Sequence, residues 1–306
     1  MPLLMSALPN ERRSPLRVRG LRWCAIIGLL MTSLVLGGCS AVRLAYNNAP
    51  DFTYWWLDGY FDFDGAQSLR LRNDLQSLQD WHRKGELPQL AETLKNLNTA
   101  ATQPVAPEQV CKLSAYLEER VQTVLDRAAP TAVALAPSLT VAQLDHLARA
   151  LDKRNREWRE EWLDGTPEQR NDRRLKKLVE RAEGFYGRVS DEQRALLQSQ
   201  LDTSAFDASL QYREILRRQQ DVLQTLRALR ASNPAEIHVQ AEVRALVARS
   251  LQSPDPVFRQ YTDRVRTQAC SAIAAFHNST TTSQRSKLQQ TLQGYEADVR
   301  ALMART

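Results

Sequence analysis

Apolar residues recur three and four positions apart through most of this chain, the spacing of one face of an α-helix. Leu71, Leu75, Leu78 and His82 share one stripe, and Leu87, Leu90, Leu94 and Leu97 form the next. A third runs through Leu144, Leu147, Leu151, Trp158 and Trp162 with polar Asn155 on the same face. Later stripes hold Ile215, Val222, Leu226 and Leu229, then Leu288, Leu292, Tyr295, Val299 and Leu302. No alternating run of β-branched and aromatic residues reads as a strand, and Leu, Ala, Arg, Gln and Glu are all good helix formers. The pattern predicts an all-α fold: one large bundle-like domain of about ten helices, with two packed bundles divided near residues 187–205 as the alternative.

Punctuation supports that reading. Pro107, Pro167, Pro234 and Pro256 stand where a first helical turn tolerates proline, with Thr166, Asn233 and Asp255 in N-cap position before three of them. Pro130 and Pro137 bracket an Ala-rich stretch expected to be a short kinked connection. Trp81-His82-Arg83 with Glu86-Leu87-Pro88 is expected to be a polar turn between two helices, with His82 hydrogen-bonded at a helix end. Three starts share one pattern: Leu139-Thr140-Val141-Ala142-Gln143, Ser190-Asp191-Glu192-Gln193 and Thr281-Thr282-Ser283-Gln284. The Ser/Thr-x-x-Gln spacing is that of a capping box, which explains all three. They also resemble the LTxxQ motif of small periplasmic stress chaperones, which implies a holdase as an alternative function.

One segment departs from the amphipathic pattern. Cys24 to Leu36 is uncharged, follows Arg12, Arg13, Arg17, Arg19 and Arg22, and ends in Leu36-Gly37-Gly38-Cys39. A basic start, a short apolar run and small residues make a secretory signal, and the run is too short for a stable membrane span. Cysteine directly after Leu-Gly-Gly resembles the bacterial lipobox. That resemblance implies cleavage before Cys39, acylation of its thiol and amine, and, with Ser40 in place of Asp, residence in the outer membrane facing the periplasm. The expected organisation is therefore residues 1–38 as lipoprotein signal peptide, 39–50 as lipidated tether and 51–306 as helical periplasmic domain. The lipid anchor on Cys39 is the expected contact with the membrane.

Export changes the meaning of the charge. The chain carries a formal +6, but residues 1–38 hold five of its 41 basic residues and one of its 35 acidic ones, so the remainder is nearly balanced. A nucleic-acid partner loses its main support. Basic clusters at Lys153–Arg159 and Arg170–Arg181 are interleaved with acids, as on a solvated helix face. Cys111 and Cys270 remain as a pair in an oxidising compartment and are expected to form a disulfide.

Candidate chemistry is sparse. His82, His146, His238 and His277 stand apart without ligand spacing, and the Asp58–Gly65 stretch fails the calcium-loop pattern, so no metal and no cofactor are expected. Eight aromatics crowd between Tyr46 and Phe63. Phe52, Trp55, Trp56, Tyr60 and Phe63 follow helical spacing, whereas Tyr54 and Phe61 point off that face. Such a surface serves either core packing or a partner, because Trp and Tyr favour interfaces. Trp55, Trp56, Tyr60 and Trp81 are the candidate docking residues for an envelope protein.

Cys39-Ser40, Arg43-Leu44-Ala45-Tyr46-Asn47-Asn48, Trp55-Trp56-Leu57-Asp58, Gln67, Trp81-His82-Arg83, Glu86-Leu87-Pro88 and Gly187-Arg188-Val189-Ser190 with Gln193 resemble a family of uncharacterised proteobacterial lipoproteins carrying a domain of unknown function. The resemblance implies a helical periplasmic lipoprotein and supplies no catalytic residue. The functional expectation is a non-catalytic binding or accessory protein for envelope machinery, with the holdase and a lipid or cell-wall enzyme centred on His82 as alternatives.

Overall fold

The computed structural model describes residues 38–304, of which 41–304 carry side-chain detail. All but the last residue of the expected signal peptide, and the Cys39 side chain, lie outside the described residues. Eleven α-helices and no strand make up the described chain: α1 (Gly38–Asn47), α2 (Ala49–Phe61), α3 (Gly65–Ala100), α4 (Pro107–Leu135), α5 (Val141–Trp162), α6 (Pro167–Tyr186), α7 (Asp191–Asp202), α8 (Ala208–Ser232), α9 (Glu236–Leu251), α10 (Pro256–Asn278) and α11 (Thr282–Met303). They form a single all-α domain, as the stripes predict. Across residues 187–205 the chain stays in one body: α6 before that stretch packs on α11 after it, and α7 within it packs on α10.

Helix α3 is the spine, 36 residues and about 54 Å long. It packs along α11, where Leu87 and Ala91 meet Val299 and Leu302, all nearly fully buried. The expected turn at Trp81–Pro88 is therefore absent, and α3 runs through Pro88. A mid-helix proline costs roughly 3 kcal/mol, and burial of Leu87 and Ala91 on either side of it offsets that. Pro130 is likewise passed over: α4 continues to Leu135, and only then does a 3₁₀ turn (Ala136–Ser138) follow. Asn233 does not cap the helix after it. It closes α8 in the left-handed region, φ 39°, a conformation Asn tolerates, and α9 starts only at Glu236.

The largest apolar cluster joins Val133 and Leu139 to Leu144 and Leu147 of α5, Leu226 and Leu229 of α8, and Val239 and Val243 of α9. A second unites α6, α7 and α10 through Leu175, Val179, Leu197, Leu201 and Phe276. Cys111 of α4 and Cys270 of α10 form the expected disulfide.

The three Ser/Thr-x-x-Gln starts are capping boxes, and so are Asp64/Gln67 and Thr166/Gln169. Four of these glutamines do more than cap. Gln193 Nε2 donates to Gln284 Oε1 at 2.9 Å, and Gln284 Nε2 donates back at 2.8 Å. Each amide also donates to a carbonyl two residues before the other's N-cap: Gln193 to Ser279, Gln284 to Arg188. Gln67 and Gln143 repeat this arrangement, with Gln67 donating to Ser138 O, Gln143 to Asp62 O, and Gln143 Nε2 to Gln67 Oε1 at 2.6 Å. Two distant helix starts are thus clasped head to head in two separate places.

Candidate docking surfaces

The segment expected to be a lipidated tether is helical and held against the body. Arg43 of α1 pairs with Asp298 of α11 at 3.0 Å. Tyr46 Oη and His82 Nδ1 are 3.0 Å apart, Gln79 donates to the Tyr46 carbonyl, and Arg83 donates to Leu302 O at 2.8 Å and Asn47 Oδ1 at 3.4 Å. His82 is consequently a mid-helix residue in a seam, not a helix-end group. Burial holds its imidazole below the ordinary value against the opposing pull of Glu86, and burial pushes the Tyr46 phenol up. Asp298 is almost completely buried, and burial raises its carboxyl despite Arg43.

The four docking candidates do not form one surface. Trp55 and Trp56 are 59 % and 61 % exposed on α2, beside Phe52 at 52 %. Tyr60 turns inward with Phe61 and Phe63 against the largest apolar cluster. Trp81 lies half-buried on α3, with the Arg127 guanidinium over its ring. The expected facing of α2 is reversed in part. Tyr54, read as pointing away, is buried, with Ser68 on its hydroxyl at 2.9 Å and Arg72 over its ring at 3.6 Å. Phe63 stands beyond the helix, stacked on Phe61. The neighbouring aspartates serve the backbone: Asp58 accepts from Phe63 N–H, Asp62 closes α2 at φ 51° and Asp64 caps α3.

A second aromatic surface lies at Trp158 and Trp162, where the spacing alone gives an apolar helical stripe. An open groove of about 520 Å³ runs between α4, α5, the start of α8 and α10, lined by Trp158, Trp162, Phe206, Tyr261, Val265 and Ile273. Trp158 stacks on Tyr212 at 5.3 Å, and Trp162 meets Phe206 at 5.6 Å. Ile273 is 55 % exposed, and Cys270 of the disulfide also lines the groove. Cations gather at the Trp162–Phe206 end: Lys177 lies 4.9 Å over Trp162 and pairs with Glu161, while Arg174 lies 4.8 Å over Phe206. Arg174 is half-buried, and burial pushes its guanidinium down from the ordinary value. Two more residues of that basic cluster close the end of α5, where Arg170 donates to the Leu163 and Gly165 carbonyls and Arg173 to those of Glu161 and Asp164. The signal for this surface was the Trp pair four residues apart at a helix end.

His82, His146 and His277 work as ties between elements. His277 Nε2 donates to the Gln103 carbonyl at 2.9 Å, leaving Nδ1 to accept from Tyr186 Oη at 3.0 Å, and His146 donates to Gly59 O. Among the described residues no group of three His, Cys, Asp or Glu side chains is placed to hold a metal, and no helix is long and apolar enough to cross a membrane.

The profile of a family of unknown function, DUF6279, matches residues 59–250. The chain belongs to that family. No curated protein matches the chain, and no solved structure does. The DUF6279 match spans both Gln67–Gln143 and the first half of the second clasp, together with Trp81-His82-Arg83 and the Trp158/Trp162 wall of the groove. Within this DUF6279 member, Gln67 and Gln193 of the quoted motifs are spent on the clasps and Tyr46, Asn47, His82 and Arg83 on the α1 seam, while Trp55 and Trp56 stay exposed.

Proposed function

We propose that this chain is a lipoprotein anchored through Cys39 in the outer membrane, facing the periplasm, and that it acts by binding as an accessory to envelope machinery rather than by catalysis. The observation that carries the binding role is the aromatic groove. Half-buried indole and phenyl rings beside an exposed branched aliphatic side chain are the chemistry of protein hot spots, and a wide shallow trough suits a polypeptide better than an enclosed small molecule. Its occupant is an envelope-protein segment presenting large apolar side chains flanked by an acidic group, which the Arg174 end of the groove attracts. The lipobox resemblance supports the anchor, and the Cys111–Cys270 bridge supports an oxidising compartment. His82 in this reading positions α1 through Tyr46 instead of acting on a substrate.

Photocrosslinking residues placed at Trp158, Trp162 and Ile273 of the full chain in living cells test the reading, with captured proteins identified by mass spectrometry. One dominant envelope protein, lost when Arg174 is changed to Glu, is the expected result. A broad smear of non-native chains would replace the accessory with a holdase. Silence at all three positions would overturn the groove as a binding site.

A further inference from the structure

The first two helices carry an unpartnered face of unusual composition. They are nearly continuous: Asn48 N–H donates to Leu44 O and Phe52 N–H to Asn48 O, at 3.2 and 3.0 Å, bridging the single residue between α1 and α2. At 3.6 residues per turn, Ala41, Leu44, Ala45, Asn48, Phe52, Trp55, Trp56 and Gly59 fall within an arc of about 120°. Leu44 is 66 % exposed, Phe52, Trp55 and Trp56 more than half, and none of the eight is buried. The arc holds no charged residue over about 27 Å of helix. Arg43 and Asp58 lie on the other side, where Arg43 meets Asp298, and Asp51 sits at the margin, paired with Arg72. An exposed helix face this long and without charge is not the usual solvated surface.

We propose that this face lies in the bilayer interface, with Leu44, Phe52, Trp55 and Trp56 set among the lipid headgroups and upper acyl chains. The inference rests on the acylated Cys39 of the proposed function. Ala41, the first residue of the stripe, is two positions past that cysteine, inside the same helix. No flexible tether separates anchor from stripe, because α1 is fixed to α3 and α11 through Tyr46, Asn47 and Arg43. Acyl chains at Cys39 therefore bring the stripe to the membrane surface, where tryptophan's amphipathic ring is favoured. The bilayer takes the place of a protein partner on Trp55 and Trp56 and adds a second attachment beside the acyl chains. The body then sits in one fixed orientation instead of swinging on a leash.

The test uses the purified mature lipoprotein in vesicles of phosphatidylethanolamine and phosphatidylglycerol whose acyl chains are brominated, with its covalent lipid read by intact mass on the same sample. Five tryptophans lie beyond Cys39: Trp55, Trp56, Trp81, Trp158 and Trp162. Bromine should remove roughly two-fifths of the emission, the share of two tryptophans in five, and almost none in the Trp55→Ser/Trp56→Ser variant. Because both residues are exposed, that variant should keep its melting temperature. Unquenched emission from a protein whose mass shows acyl chains would overturn the interfacial pose while leaving the anchor intact. Quenching that persists in the double variant would overturn it too, as would disulfide crosslinks between Trp56→Cys copies, which would give the face to a second copy. A mass without acyl chains would remove the anchor and, with it, this proposal.

Discussion

Replacing Gln193 by alanine should destabilise the protein far more than the same change in an ordinary capping box, and the chain contains its own control. The Gln193 side chain is 4 % exposed and makes four hydrogen bonds. Its Oε1 accepts from Ser190 N–H and Gln284 Nε2, and its Nε2 donates to Ser279 O and Gln284 Oε1. At a net 0.5–1.5 kcal/mol each, and with the partners left in a half-closed interface, the loss comes to about 3 kcal/mol. Gln169 occupies the same N3 position in the Thr166 box, is exposed, and accepts one bond, from Thr166 N–H at 3.0 Å. Gln169→Ala should cost about 0.5–1 kcal/mol. Urea denaturation of the disulfide-intact protein followed by far-UV circular dichroism measures both, provided the slope with denaturant is unchanged. Adding Gln284→Ala to Gln193→Ala should cost little more, a coupling of about 1–2 kcal/mol. Equal losses for Gln193→Ala and Gln169→Ala would show that the head-to-head pairing contributes nothing beyond capping.

Three further outcomes follow from the described contacts. Glu214 is buried; burial pushes its carboxyl up, but hydrogen bonds from Arg217, Arg218 and Ser253 outweigh that and hold it below its ordinary value. Its contribution is complete above the unfolded carboxylate range and disappears as pH falls, so Glu214→Gln should cost on the order of 2–3 kcal/mol at pH 7 and flatten the acid limb of a pH–stability curve. The lowered His82 value means that the α1 seam is strongest above the ordinary histidine range and weakens as pH falls, while the raised Asp298 carboxyl acts in the opposite direction. Limited proteolysis within residues 41–48 should therefore be faster at pH 5 than at pH 7.5, and an Asp298→Asn variant should show the larger contrast; pH-independent cleavage in both would refute the seam. Thiol labelling of denatured, unreduced protein should mark neither Cys111 nor Cys270, and Cys111→Ser/Cys270→Ser should lower stability by about 2–5 kcal/mol, because the bridge closes a separation of 159 residues.

The helices were legible because their stripes are long and their caps are spelled out in sequence, as at Thr140/Gln143 and Thr281/Gln284. The pairing of those caps was not, since each Gln finds its partner 76 or 91 residues away and nothing local distinguishes Gln193 from Gln169. Pro88 and Pro130 misled in the opposite way: a local breaker rule lost to tertiary burial, which holds Leu87 and Ala91 against α11 whatever the backbone would prefer. Spacing identified the faces of α2 but could not say which one turns inward. That was decided by Ser68 and Arg72, which give buried Tyr54 a hydroxyl partner and a cation. The groove stayed hidden for a related reason. Trp158 and Trp162 continue the stripe of Leu144 and Leu147, and only the positions of α8 and α10 leave them lining a trough rather than a core.

The seam between α1, α3 and α11 also imposes an order on folding. Tyr46 and Arg43 of α1, and Leu87 and Ala91 in the first third of the chain, find Asp298, Val299 and Leu302 of α11. While the polypeptide is still emerging, its leading helix can meet only α3, through Tyr46, Asn47 and His82, and the Leu87–Ala91 half of α3 has nothing to close against. Local turns and caps can form early, but final docking of the first helix waits for the last. A chain delivered amino-terminus first therefore stays loose until its carboxyl end arrives, and shortening that end by one or two helical turns would undo contacts made at the opposite terminus.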